Sequence, residues 1–239
     1  MDVQDNRLEL EIVGWRQPAR DSPPESWGVE YHVLSGDPAR TGVWGDLDTL
    51  LMQDWTTDDG RKLRIQAACV DSGGHHTSQV YAWCEARKGR HIYAIKGLPG
   101  LRPIWKPKAG KSKKYQAEVW HIGVDTAKDA WYARLKIAAP GPGYCHFPLA
   151  YGETYFDGLT AEQVRTKYSK GHPVREWFCP HGKRNEPLDI RCYALAALLS
   201  RPVNWSALAA HVGQGPMPNA VQQKSLTRPV RFQMPRNLR

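Results

Sequence analysis

The chain has 239 residues, a formal net charge of +9, a pI near 9.4 and 41% hydrophobic residues. That length fits one large domain or two small ones, with enough apolar residues for a true core. No run of about 18 apolar residues is present, which excludes a transmembrane helix. The N-terminus, Met1-Asp2-Val3-Gln4-Asp5, is acidic and polar, unlike a signal peptide. The five cysteines are odd in number and form no C-x-x-C pair, the usage expected in a reducing compartment.

In chain order, Leu8–Val13 alternates as a strand with one face to a core, and Trp27–Leu34 alternates again, predicting a hairpin across the proline-rich turn between them. Val43, Trp44, Leu47, Leu50 and Leu51 have helical spacing. A polar loop over 54–62 precedes an apolar strand predicted over 63–70. Val70-Asp71-Ser72-Gly73-Gly74 then reads as strand end, carboxylate and glycine turn. A helix follows over 78–88, capped by Thr77 and stopped at Gly89.

A strand is expected over 91–96, a Pro/Gly-rich basic loop over 97–114, a strand over 118–124 and a helix over 126–136. Tyr144–Phe147 reads as a short strand, Thr160-Ala161-Glu162-Gln163 as a capping box opening a helix, and Val174–Phe178 as a strand. Asn185-Glu186-Pro187-Leu188-Asp189 opens a last helix running to Leu199. The expected domain is 1–212, followed by a basic, flexible tail over 213–239. The order describes an α/β fold, a mixed sheet flanked by helices; a ribonuclease-H-like sheet fits it, though not uniquely.

Asp71 falls at the carboxyl end of a predicted core strand, where open α/β sheets place their sites. An isolated carboxylate is costly to bury, so the residues leave two readings: a metal ligand, or a carboxylate satisfied by the Gly73–Gly74 amides. Two-metal phosphodiester cleavage needs several carboxylates at one sheet end, and Mg²⁺ or Mn²⁺ takes oxygen ligands. The candidates are Asp2, Asp71, Asp125 and Asp189, with Asp71 and Asp189 favoured on chemistry. Asp125 also suits an N-cap, and Asp189 a helix N-terminus. His75 and His76 read as groups beside the ligands, as phosphate contacts, or as exposed turn residues.

The charge is unevenly spread. Arg102, Lys106, Lys108, Lys111, Lys113 and Lys114 share one acid-free connection, and no acid follows Asp189. Two basic clusters favour a nucleic-acid partner over solvated loops. An ATP site is rejected: Gly110-Lys111-Ser112 has Trp105 where a phosphate loop needs glycine. Cys145, His146, His172, Cys179 and His181 match no usual zinc spacing.

Asp2-Val3-Gln4-Asp5-Asn6-Arg7-Leu8-Glu9 resembles the opening of the nuclease domain of large terminase subunits of lambda-type tailed phages. The likeness continues through Gly36-Asp37-Pro38, Val70–Gly74, Ile95-Lys96-Gly97, Gly123–Lys128, His146-Phe147-Pro148, Arg184–Asp189 and Tyr193–Ala197. It implies a ribonuclease-H-like endonuclease that cuts concatemeric double-stranded DNA during genome packaging. The implied ligands of two Mg²⁺ or Mn²⁺ ions are Asp2, Asp71 and Asp189. Lys128 is implied to lie near a phosphate, with Asp125 a turn residue, a cap or a further ligand. The implied partners are a packaging ATPase domain, a small terminase subunit and a portal, in the cytoplasm of an infected bacterium or lysogen. With no ATP motif and an opening in the expected first strand, the chain reads as an excised nuclease domain. Two alternatives stand beside this: a basic DNA-gripping or portal-docking module without cleavage, and a junction resolvase of the same fold.

Overall fold

The computed structural model describes residues 1–19, 21–57 and 60–212; the expected basic tail, 213–239, lies outside them. The elements run β1 (Asp2–Val3), β2 (Arg7–Arg16), β3 (Glu25–Ser35), α1 (Gly42–Leu51), β4 (Trp55–Thr56), β5 (Lys62–Leu63), β6 (Ala68–Asp71), α2 (Thr77–Glu85), β7 (Ile92–Leu98), β8 (Gly110–Lys111), β9 (Glu118–Gly123), α3 (Val124–Leu135), β10 (Cys145–His146), α4 (Glu153–Leu159), β11 (Gln163–Ser169), β12 (His172–Phe178), α5 (Glu186–Leu199) and α6 (Trp205–Val212).

Two four-stranded ladders, β1-β2-β3-β10 and β6-β7-β9-β8, form the centre. They meet at residue 1: the Met1 nitrogen donates to the Cys69 carbonyl at 2.7 Å, and the Asp71 N–H donates to the Met1 carbonyl at 3.0 Å. That is the bonding of a parallel pair, so β1 continues into β6. The β1–β2–β3 pairings are antiparallel and β6–β7–β9 parallel. The result is a mixed α/β sheet with helices on both faces.

Strand alternation sorts the side chains into two cores. Leu8, Leu10, Ala68, Val70, Ile92 and Ala94 face α1 and α2. Cys69, Ile95 and Ile122 face α3, α4 and α5. In register with that second set stand Glu9 and Glu11 of β2, Asp2 of β1 and Asp71 of β6. The acids therefore look toward α5.

Helix α5 is tied to the sheet by a fully buried ion pair. The Arg191 guanidinium donates through Nη2 to Glu11 Oε1 and through Nε to Tyr155 Oη at 3.0 Å, between the Trp131 and Phe147 rings. The Tyr151 and Tyr155 hydroxyls donate to Glu11, each at 2.9 Å. Burial pushes the Glu11 carboxyl up, and the Arg191 charge opposes that shift. The pair passes so close to β3 that a Cβ at Gly28 would lie 2.6 Å from Arg191 Nη2. Only glycine fits there.

Several expectations are corrected. The strand predicted over 63–70 is paired into the central sheet only from Ala68. Leu63 instead pairs with Trp55 in a separate two-strand ladder, where Arg64 bonds Asp54 at 2.5 Å. Thr77 does not cap α2: its hydroxyl donates back to the Ser72 and Gly74 carbonyls, at 2.9 and 2.8 Å. The left-handed residue after that region is His91, not Gly89. No helix starts at Thr160, which ends α4; Val164 and Thr166 then alternate in β11. Helix α3 begins one residue before Asp125, with Gly123 as N-cap.

Because Arg191 and Glu11 are fully desolvated, removing either leaves a lone buried charge. Arg191→Met should cost about 3–5 kcal/mol in urea unfolding, and pairing it with Glu11→Leu should cost less than the two single changes summed.

Candidate functional site

The bonds of Met1 to Cys69 and Asp71 place Asp2 beside Asp71 on adjacent strands, about 4.8 Å apart in the sheet. Glu9 is the direct partner of Asp2 on the other side. One row of three acids therefore crosses β2, β1 and β6. Asp189, in the first turn of α5, comes from the covering layer. The buried Tyr193 hydroxyl, one turn further on, is held well above its ordinary range by burial and then by the charges of Asp71, Asp189 and Asp2.

Each acid has its own environment. The Asp71 carboxylate accepts the Gly73 N–H at 3.1 Å, and a Cβ on Gly73 would meet it at 3.2 Å. The glycine turn thus curls onto the carboxylate. Burial, then the neighbouring Asp2 charge, pushes the Asp71 carboxyl up to about 6. Asp2 is also raised by burial, against a hydrogen bond from the Gln4 amide. Asp189 is pushed up to about 6 by burial, against the pull of Lys128.

Lys128 of α3 is buried. Its Nζ lies 2.5 Å from Glu162 Oε1 and 3.3 Å from Asp189 Oδ1. Burial opposes its charge, but Asp189 and Glu162 outweigh that and hold its pKa above the ordinary value. The Asn185 amide donates to the Glu162 and Asp189 carboxylates, at 2.7 and 2.9 Å. Lys128 thus holds Asp189 in place rather than facing solvent. Glu9, which the sequence reading passed over, accepts from Tyr31, from Arg7 at 2.6 Å and from Arg184. Although burial works to raise it, these partners hold its carboxyl below the ordinary range. Neither Asp2 nor Asp71 has a lysine or arginine partner among the described residues.

The other predicted residues lie further out. The Asp125 carboxylate accepts the Gly100 N–H at 2.8 Å, tying down the start of the basic loop. His75 is exposed and lies 3.2 Å from Asp5; His76, the N-cap of α2, lies 3.7 Å from the same carboxylate. The basic residues are not brought together. Arg102 bonds the Pro99 carbonyl near the carboxyl end of β7. Lys111 pairs with Glu118 at the other end of β9, three strands from Asp71 at about 4.8 Å a step. Lys113 and Lys114 follow in that far turn. Lys106, Lys108, Lys111 and Lys113 are free of ion pairs among the described residues.

Among the described residues, no three His, Cys, Asp or Glu side chains converge closely enough to grip an ion as they stand. Gly73, Gln4, and Lys128 with Asn185 each engage one of the three aspartates. The donor set is nonetheless carboxylate oxygen, the type that hard divalent ions take. The two clearest cavities, of about 590 and 530 Å³, are lined by Tyr81 and Tyr115 and by Trp105 and Trp120; neither includes Asp2, Asp71 or Asp189.

These features define an α/β domain with an acidic site at a central sheet junction. The family model described as the endonuclease domain of terminase large subunit gpA matches residues 1–208. The chain belongs to that family. It is 29% identical over 215 residues to the terminase large subunit of Escherichia phage lambda, and 28% identical over 217 residues to that of Enterobacteria phage P21. Each match covers 86% of this chain and 32% of the relative, so the chain spans about a third of their length. No solved structure matches.

Asp71 and Asp189 have pKa values raised above the ordinary 3.8. The folded state therefore binds more protons than the unfolded state between about pH 4 and 6, and these groups make stability fall as pH rises through that window. Asp71→Asn keeps the Gly73 bond and removes the charge. In thermal melts at neutral pH with chelator, it should stabilise the protein by on the order of 2 kcal/mol. Its melting temperature should also vary less between pH 4 and 6 than that of the parent.

Proposed function

We propose that this chain is a metal-dependent endonuclease domain that cuts concatemeric double-stranded DNA during phage genome packaging. The observation that carries this reading is the adjacent pair Asp2 and Asp71, one buried and one half-buried carboxylate without a cationic side-chain partner among the described residues, faced by Asp189. Such an arrangement is unfavourable in isolation and is relieved by a divalent cation. The strand order β3-β2-β1-β6-β7-β9, with β1 parallel to β6, supports a ribonuclease-H-like description of the sheet.

Asp2, Asp71 and Asp189 would hold two Mg²⁺ or Mn²⁺ ions after rotating away from their present partners. Such ions supply activation of a water and neutralisation of the leaving oxygen. The chain's own residues prepare the site. The Gly73–Gly74 turn fixes the Asp71 carboxylate. Lys128 and Asn185, both also bonded to Glu162, hold Asp189 at the start of α5, and the Lys128 charge offsets part of its negative charge. Tyr193 walls the acids from the apolar core below them. Asp125 orders the start of the basic loop, whose cations meet DNA phosphates, while His75 is exposed and His76 half-buried at the entrance to α2.

Within the longer protein, this domain acts beside a packaging ATPase, a small terminase subunit and a portal, in the cytoplasm of the infected host. No helix of the described residues is long and apolar enough to cross a membrane.

Incubating plasmid DNA with the chain and Mn²⁺ tests the reading. Asp2→Asn, Asp71→Asn and Asp189→Asn should each slow cutting by at least about 100-fold, as much as disturbing a metal centre typically costs. Undiminished cutting by Asp71→Asn overturns the site assignment. DNA binding without any cutting or Mn²⁺ uptake favours the non-cleaving module.

A further inference from the structure

The hairpin β11–β12 leaves the acidic site and returns to it. It starts one residue after Glu162, which bonds Lys128 and Asn185, and the chain re-enters at Asn185, four residues before Asp189. Between those points, seven residue pairs form a regular antiparallel ribbon. Its turn places Lys170 and Gly171 at φ 51° and 81°, the positive values that a tight two-residue hairpin needs. At about 3.4 Å per residue the ribbon extends roughly 20 Å.

Among the described residues, the half of the hairpin nearer the site is the anchored part. Arg175 pairs with Asp129 at 2.5 Å, Trp177 donates to the same carboxylate at 3.1 Å, and the Trp177 ring lies 4.7 Å from that of Tyr132. Every residue of β11 is exposed, and so is β12 as far as Arg175. Tyr168 near the tip is 73% exposed. A two-stranded ribbon without a covering layer is marginal by itself. Its own charge is one-sided: Arg165, Lys167, Lys170 and Arg175 outnumber Glu176, which Arg165 and Lys167 share at 3.1 and 3.6 Å, and Lys170 at the tip has no acidic partner among the described residues.

Resting on the nuclease reading above, we propose that this hairpin is a DNA-gripping arm that seats in a groove of the duplex and presents the adjacent phosphodiester to Asp2, Asp71 and Asp189. Charge complementarity names the occupant. A major groove about 12 Å wide admits a two-stranded ribbon, and exposed cations on such a ribbon meet phosphates on both walls. The hairpin also supplies what the acidic site lacks, since a cluster of carboxylates repels a polyanion. Within the 97–114 loop, Lys111, Lys113 and Lys114 lie at the far edge of the sheet and reach phosphates only away from the acids.

The test measures binding of the 239-residue chain, carrying Asp71→Asn and kept in chelator, to a labelled duplex of about 30 base pairs over a salt series. Metal and cleavage are thereby removed, so the result stands whether or not the chain proves to be a nuclease. Adding Arg165→Ala, Lys167→Ala and Lys170→Ala should weaken binding at least about tenfold and reduce the salt slope by about 3. The melting temperature should hold, because these side chains are exposed. Lys170→Glu at the tip provides a single-site check and should also weaken binding. Affinity and slope unchanged in both variants overturn the proposal. So does a loss confined to Lys108→Ala/Lys111→Ala/Lys113→Ala in the loop.

Discussion

The contact between Glu11 and Arg191 organises much of this domain. Both side chains are withdrawn from water, so the structure must hold each against the other and satisfy their remaining donors and acceptors. Tyr151 and Tyr155 do this for the carboxylate, and Trp131 and Phe147 flank the guanidinium. The pair fixes α5 over β2 at one angular setting. Asp189 lies two residues before Arg191 on the same helix, so the setting of the ion pair is also the setting of Asp189. Gly28 belongs to the same constraint, because a side chain there would occupy the space the pair needs.

A second constraint opposes the first in sign. Glu11 and Arg191 neutralise one another, although the buried Arg191 Nη1 finds no hydrogen-bond partner among the described residues, whereas Asp2 and Asp71 are neighbours of like charge, both raised by burial. Glu9, in the same row, shows what compensation looks like: two arginines and a tyrosine hold it ionised. That row thus carries one acid held by cationic side chains and two that are not, on adjacent strands. Stability kept in the core and forgone at the edge is the contrast on which the proposed cation site rests. Asp189 stands between these cases, with Lys128 close but shared with Glu162.

Much of this was legible in the residues. The alternation of Leu8–Val13 and Trp27–Leu34 predicts the hairpin, and Val70-Asp71-Ser72-Gly73-Gly74 predicts a carboxylate at a strand end because strand, turn and helix signals coincide within ten residues. Other features were hidden for physical reasons. Glu162 sits in a segment with good capping-box chemistry, and only the tertiary pull of Lys128 and Asn185 shows its role. The β11–β12 turn is Lys170-Gly171, which lacks the asparagine or aspartate that usually marks a two-residue hairpin. The basic loop reads as one cluster along the chain, yet the β8 excursion carries Lys111, Lys113 and Lys114 to the opposite end of the sheet. Glu9 alternates properly within its strand, so nothing local marks it as a partner of Asp2.

The most direct measurement is anomalous diffraction from crystals of the chain grown with Mn²⁺ above pH 7, where the raised carboxyls are ionised. Two peaks liganded by Asp2, Asp71 and Asp189 are expected, with Asp189 turned away from Lys128 and Asp71 away from the Gly73 amide. Manganese held only by other residues, with Asp2 and Asp71 left without an ion between them, would contradict the assignment.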